Sequence, residues 1–237
     1  MALIDFEELD HQSTAIGDIS LRRRTELRLG VEVYEVKLGD DFLMSSLFAE
    51  GEIQLARLGL AACAAGPLDI AVGGLGLGYT ARAVLDHAAV HSLLVIEAMP
   101  AVIDWHQRAL VPLGAGLSAD PRCEFLQADF YARANSAGMD PQAPAKRFHA
   151  ILLDIDHSPR HVLHRNNAAF YGADGLRRLA THLHPNGIFA LWSNDPPDED
   201  FGATLATVFS ATQAHVVEFD NPLQDRKATN TVYVARV

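Results

Sequence analysis

From Pro67 to the C-terminus the chain alternates short, uninterrupted apolar runs with amphipathic segments, and this alternation narrows the fold more than any other feature. LDIAV (68–72), LLVIEA (93–98), CEFLQAD (123–129), HAILLDI (149–155) and GIFALWS (187–193) read as strands. The stretches between them predict helices: YTARAVLDHA, PAVIDWHQRAL with Pro100 at its first position, FYARANSA, DGLRRLATHL (174–183) and DFGATLATVFSA. Strands that are apolar throughout must be covered on both faces, so they form a parallel sheet between two helical layers. The last two strands, AHVVEFD (214–220) and NTVYVAR (230–236), are joined only by NPLQDRKAT. A parallel return needs a longer crossover, so they pair as an antiparallel hairpin. The expectation is a seven-stranded, mostly parallel α/β sheet that closes on a C-terminal antiparallel hairpin.

The segment before this alternation has another character. DISLRRRTELRL and VEVYEVKLG alternate apolar and polar residues around Gly30, and Gly39-Asp40-Asp41 marks a turn. Residues 1–43 therefore predict a small N-terminal β unit of two to four strands. The main domain, 44–237, opens with a helix in SSLFAEGEIQLARLGLAAC, its serines placed to cap the N-terminus. With 49% hydrophobic residues the chain can bury a large core, and a net charge of -11 argues against a nucleic-acid backbone or an anionic membrane surface as partner. Arg22-Arg23-Arg24 reads as a solvated strand face. Cys63 and Cys123 sit in apolar segments, as free thiols do in a reducing compartment. The acidic start MALIDFEELD lacks the basic and apolar regions of a leader. No apolar run approaches the ~20 residues of a membrane span, so the expected location is the cytoplasm.

Function is expected at the carboxyl ends of the parallel strands. Gly73, Gly74, Gly76 and Gly78 follow the first of them directly, where bare backbone lets a ligand come close. Gly76-Leu77-Gly78-Tyr79-Thr80-Ala81 satisfies G-x-G-x-x-A, and Glu97 lies about 20 residues on, so a dinucleotide and S-adenosylmethionine both fit. Asp129 and Asp154 end the next two strands. Acids in that series suit a nucleoside carrying a cationic sulfonium and amino groups better than a pyrophosphate, although strand-end acids also cap helices. His157, His161 and His164 share a short stretch, but Pro159 interrupts any helix that would align them, and no metal is expected. Trp192, Ser193, Asn194 and Asp195 end the fifth strand and are candidates to line a substrate pocket.

In order, AVGGLGLG, VIEAMPAVI, DPRCEFLQADF, FHAILLDID and LHPNGIFALW resemble class I S-adenosylmethionine-dependent transferases with a Rossmann-like fold. They are most similar to the spermidine synthase (polyamine aminopropyltransferase) family, over about Phe42 to Trp192. The resemblance implies that Gly73, Gly74, Gly76 and Gly78 form the nucleoside loop. It implies that Glu97 holds the ribose hydroxyls, that Asp129 with Phe130 reads the adenine, and that Asp154 positions and deprotonates an attacking amine, with Asp156 or His157 assisting. It implies S-adenosylmethionine or its decarboxylated form as co-substrate, a small amine as the other substrate, and a homodimer through the N-terminal unit. The chain departs from the family pattern at two places. Gly76 stands where the family carries an acid that grips the aminopropyl amine, which leaves room for an intact methionine carboxylate beside arginine or backbone donors. Asp154-Ile155-Asp156-His157-Ser158-Pro159 has one residue more than the family's D-S-[ST]-D-P, and Arg160-His161-Val162 follows in place of G-P-A. Methyl transfer, a nucleoside-binding protein without turnover, and an NAD(P)-dependent reductase are the alternatives.

Overall fold

The computed structural model describes residues 6–14 and 17–237. The first five residues of the acidic start, on which the absence of a leader was read, lie outside the described residues. Four strands, β1 (Glu7–Thr14), β2 (Gly17–Glu26), β3 (Val31–Leu38) and β4 (Asp41–Ser45), form an antiparallel sheet in the order β1-β2-β3-β4. The boundary expected after residue 43 falls inside β4. The arginines of β2 are half-buried rather than a solvated face: Arg23 pairs with Glu7 of β1 at 2.5 Å, and Arg24 with Glu35 of β3 at 2.8 Å and with Glu26 of its own strand at 2.7 Å.

The second sheet has seven strands in the order β10-β11-β9-β8-β5-β6-β7. Here β5 is Leu68–Gly73, β6 Val90–Glu97, β7 Cys123–Gln127, β8 Phe148–Leu153, β9 Leu183–Ser193, β10 Ala211–Asn221 and β11 Arg226–Arg236. Pairing is parallel from β7 through β6, β5 and β8 to β9. It is antiparallel between β9 and β11 and between β11 and β10, as the missing crossover required. The hairpin is longer than expected. Most of NPLQDRKAT is strand, and the turn narrows to residues 222–225, with Asp225 in the left-handed region at φ 49°.

Strand period decides which side chains meet which layer. Ile70 and Val72 of β5, with Ala150 and Leu152 of β8, join one core with Leu55, Val84 and Trp105. Ala71, Ile151 and Leu153 face the other with Phe130, Leu176 and Phe201. The helices of the first layer are α1 (Glu50–Ala61), α2 (Tyr79–Leu85), α3 (Pro100–Gln107) and α4 (Gly114–Ala119); the second has α5 (Phe130–Ala134), α6 (Ala173–Ala180) and α7 (Glu199–Ala206). The serines do not cap α1. Ser46 Oγ accepts from Tyr34 N at 2.9 Å and Ser45 Oγ from Leu47 N at 3.2 Å, so both fasten the β4–α1 link, and Ala49 occupies the cap position. Helix α4 was not expected, because its sequence GAGLSA has too few apolar residues to show a period. The N-terminal sheet lies on the first layer: Ile19, Leu21 and Val36 join its core, and Trp105 Nε1 donates to Asp10 Oδ2 at 2.6 Å. No helix among the described residues is long and apolar enough to cross a membrane.

Candidate active site

Chain order reverses between β5 and β8, and the cavity opens there, at the carboxyl ends of β5, β6, β7 and β8. Its volume of about 400 Å³ is in the range of small-molecule sites. Ile19, Val36, Leu43 and Met44 of the N-terminal sheet form one wall, and the loops after the strands form the floor.

The glycine loop needs its glycines for different reasons. A Cβ on Gly73 would meet the Phe130 ring at 2.5 Å; this glycine seats the ring beneath the cavity and does not line it. Gly74 has φ +94° and would place a Cβ 2.1 Å from the Asp154 carbonyl, so the first and fourth parallel strands touch here by backbone alone. Gly76 has φ +49°, and a Cβ there would stand 2.7 Å from both Sδ and Cε of Met44. The loop is held from below by His106, whose Nε2 is 2.9 Å from the Gly76 carbonyl oxygen. Burial lowers the pKa of this histidine, so it is neutral and donates from Nε2.

Glu97, at the end of β6, accepts from Leu75 N at 2.9 Å and from Met99 N at 2.8 Å and lines the cavity. Burial raises its pKa, and these backbone donors oppose the shift. Asp129 caps α5, accepting from Tyr131 N at 2.8 Å and Ala132 N at 3.2 Å. Both bonds go to Oδ1, and the residue also lines the cavity, so capping the helix does not take Asp129 away from it. Asp154 accepts from Thr80 Oγ1 at 2.6 Å through Oδ2.

A fourth acid was missed. Glu52, on the first turn of α1, faces the same cavity. Burial, and then the charge of Asp154, raise its pKa; burial also raises that of Asp154, against the Thr80 hydrogen bond. The two acids share the cavity, and the charge of Asp154 makes Glu52 hold its proton more tightly than burial alone would. The signal was present in the sequence. Leu55, Ala56, Gly59 and Leu60 are buried on α1, and Glu52 occupies the same stripe at the helical spacing. An acid on a buried stripe requires a reason.

Asp156 lies elsewhere than its sequence neighbours suggest. It is 2% exposed and does not line the cavity. It accepts from Tyr131 Oη at 2.5 Å, Tyr171 Oη at 2.7 Å, Leu163 N at 2.6 Å and Asn167 Nδ2 at 3.1 Å, and so fastens the loop after β8. That loop brings His157, His164 and Asn167 to the cavity. His161 points into a separate hollow, 3.2 Å from Ser158 Oγ and 3.0 Å from Asp195 Oδ2 through the same Nδ1. Arg160 also lies there, paired with Asp198 at 2.5 Å and Asp200 at 3.1 Å. The basic group after Pro159 therefore does not face the candidate site. Of the residues ending β9, Trp192 lines the cavity and Ser193 and Asp195 line the other hollow.

No family model matches the chain. The curated protein polyamine aminopropyltransferase 2 of Pseudomonas aeruginosa is 27% identical over 159 residues, which is 63% of this chain. The chain spans less than half of that relative, 42% of its length. Two crystal structures, of spermidine synthase from Thermotoga maritima and of spermidine synthase in complex with the transition state analogue AdoDATO, share the fold. Each has a TM-score of 0.72 and 17% identity over 97% of this chain and 72% of the other. The fold is that of spermidine synthase. The crystal structure of human methyltransferase-like protein 13 in complex with SAH gives a TM-score of 0.60 at 20% identity, over 79% of this chain and 82% of that one. The resemblance first drawn from the glycine loop and the strand-end acids is thus borne out in sequence by the aminopropyltransferase and in fold by the synthases. The methyltransferase-like fold class is borne out by the third neighbour as well.

Proposed function

We propose that the protein transfers a three-carbon aminopropyl group from decarboxylated S-adenosylmethionine to a small amine. One observation carries this reading: four carboxylates, Glu52, Glu97, Asp129 and Asp154, line the cavity, and no lysine or arginine does so among the described residues. A cavity of that charge favours cations and rejects a free carboxylate. The room expected at Gly76 for a methionine carboxylate is taken by Met44, and no arginine stands by to receive it. A pyrophosphate would meet the same acids, which weighs against a dinucleotide.

In this reading Glu97 binds the ribose hydroxyls, and Asp129 with Phe130 frames the adenine over the loop of Gly74, Gly76 and Gly78. Asp154 holds the acceptor ammonium and takes its proton, for which its raised proton affinity suits it. The freed nitrogen lone pair attacks the methylene carbon bound to the sulfonium. The C–N bond forms as the C–S bond breaks, its electron pair stays on sulfur, and methylthioadenosine leaves. The protein contributes alignment and exclusion of water. His157 assists from the adjacent loop, and Asp156 serves by holding that loop. Both the likeness of the curated relative and the spermidine synthase fold support the reading. A homodimer through the N-terminal sheet belongs to the same proposal, and sedimentation at micromolar concentration tests it.

Incubation with decarboxylated or intact S-adenosylmethionine and a panel of amines, followed by mass spectrometry, tests the reaction. Methylthioadenosine together with an aminopropylated amine is the expected result. S-adenosylhomocysteine and a methylated product would replace this reading with methyl transfer.

A further inference from the structure

The loop position that should carry an amine-binding acid is Gly76, and Met44 occupies the space its side chain would need. Met44 belongs to β4, so the N-terminal sheet closes this side of the cavity with a thioether and no charge. The same cavity has a carboxylate, Glu52, that no other element of the site explains. Among the described residues Glu52 forms no ion pair, and the only hydrogen bond to its carboxylate comes from its own backbone N–H. Its main chain is placed against the glycine loop. The Thr80 hydroxyl, two residues beyond Gly78, lies 3.3 Å from the Glu52 carbonyl oxygen and 2.6 Å from Asp154 Oδ2. The approach depends on Gly51, where a Cβ would stand 2.4 Å from Trp192 Nε1; the bare backbone lets the first turn of α1 settle against β9 and deliver Glu52 to the cavity.

We propose that Glu52, from helix α1 and not from the glycine loop, holds the terminal ammonium of the donor's three-carbon tail, leaving Asp154 for the acceptor amine. The inference rests on the aminopropyl reading above and names the residue that selects the decarboxylated donor. A carboxylate without a partner is costly to ionise in a half-buried site, so Glu52 holds its proton until an arriving ammonium makes the ionised form favourable. The same carboxylate meets the carboxyl group of intact S-adenosylmethionine with like charge, so a single residue both admits one donor and excludes the other. Glu52 and Asp154 then each take one of the two ammonium groups that must stand on either side of the reacting carbon.

Calorimetric titration of the full chain with three ligands tests this: decarboxylated S-adenosylmethionine, intact S-adenosylmethionine, and methylthioadenosine, which lacks the charged tail. Glu52→Gln should weaken the decarboxylated donor about ten- to a hundredfold, the size of a charged hydrogen bond. Methylthioadenosine should bind the variant as it binds the wild type, which also shows that the site has folded. The advantage of the decarboxylated over the intact donor should shrink by a similar factor, and Glu52→Asp should recover part of it. The inference is overturned if Glu52→Gln leaves decarboxylated-donor binding within twofold of wild type, or if the donor and methylthioadenosine weaken equally. It is also overturned if only the acceptor KM moves. Failure of the wild type to bind the decarboxylated donor at all would overturn the proposed reaction itself, a result distinct from the others.

Discussion

Gly76→Ala is the sharpest probe of how the cavity is built. The perturbation adds a single methyl group at a residue with φ +49°, aimed at a point 2.7 Å from Met44 Sδ and Cε. Two costs follow. A left-handed backbone at a non-glycine residue costs about 1–2 kcal/mol. Relief of the contact falls on the far end of a flexible side chain, so Met44 is pushed off its rotamer for about another 1 kcal/mol. The total is about 2–3 kcal/mol, roughly a 5–10 °C fall in Tm for a chain of this size. The second cost disappears if Met44 is shortened. In a Met44→Ala background the same substitution should cost only the backbone part, giving a coupling of about 1 kcal/mol in a double-mutant cycle. Urea unfolding at constant m, with the four proteins side by side, measures it. Equal costs in both backgrounds would refute the claim that Met44 occupies the place of a loop side chain, and with it the reason the loop carries no acid.

Three further outcomes are expected. Asp154→Asn should lower kcat about 10²- to 10⁴-fold, the share of a positioned base, while calorimetry finds methylthioadenosine binding unchanged. Asp156→Ala should cost about 3–5 kcal/mol, because it strands four donors around a buried site; chemical unfolding measures the loss, and an increased acceptor KM reports the loosened loop. Glu52 and Asp154, in one cavity, give a pH signature with a definite sign. Both folded pKa values are raised, so the pair's protonated form is favoured in the folded chain and its stabilising effect is present below the ordinary carboxylate range. It is lost as pH climbs through the raised values. In the ligand-free protein the gap in Tm between Glu52→Gln and wild type should therefore widen in the variant's favour from pH 5 to pH 8, and a gap that stays flat by differential scanning fluorimetry would contradict the pairing.

Much of the fold was legible because buried parallel strands must be apolar throughout, and LDIAV or HAILLDI allows few other readings. The hairpin was legible by exclusion, since no helix separates the last two runs. The glycines were legible as a loop, but the individual need of each was not: what Gly73 accommodates is Phe130, the first residue of helix α5 and more than 50 residues away in the chain, and only packing reveals it. Asp156 was grouped with Asp154 because the two are neighbours in sequence. In an irregular loop, sequence spacing carries no direction for a side chain, and the carboxylate turns inward to Tyr131 and Tyr171. Glu52 was passed over because α1 read as a packing helix from its leucines, and one acid did not disturb that pattern. Its place on the buried stripe was the overlooked clue.

Met44 in β4 and Glu52 in α1 stand only eight residues apart, on either side of the link that carries the chain from the N-terminal sheet into the main domain. One closes the space over Gly76 and the other brings a carboxylate to the same cavity. A change in the glycine loop alone would have left the cavity with an unmatched cation or an open gap. A change in the link alone would have set Met44 against a loop acid. In the proposed reading the two features are parts of one arrangement, in which a helix rather than a strand-end loop recognises the donor's tail. Charge selection then depends on how the N-terminal sheet seats on the main domain. A substitution that loosens this seat, such as Trp105→Phe with loss of the Asp10 hydrogen bond, should blur discrimination between the two donors before it affects nucleoside binding, because Glu97 and Asp129 hang from the sheet itself and not from the link.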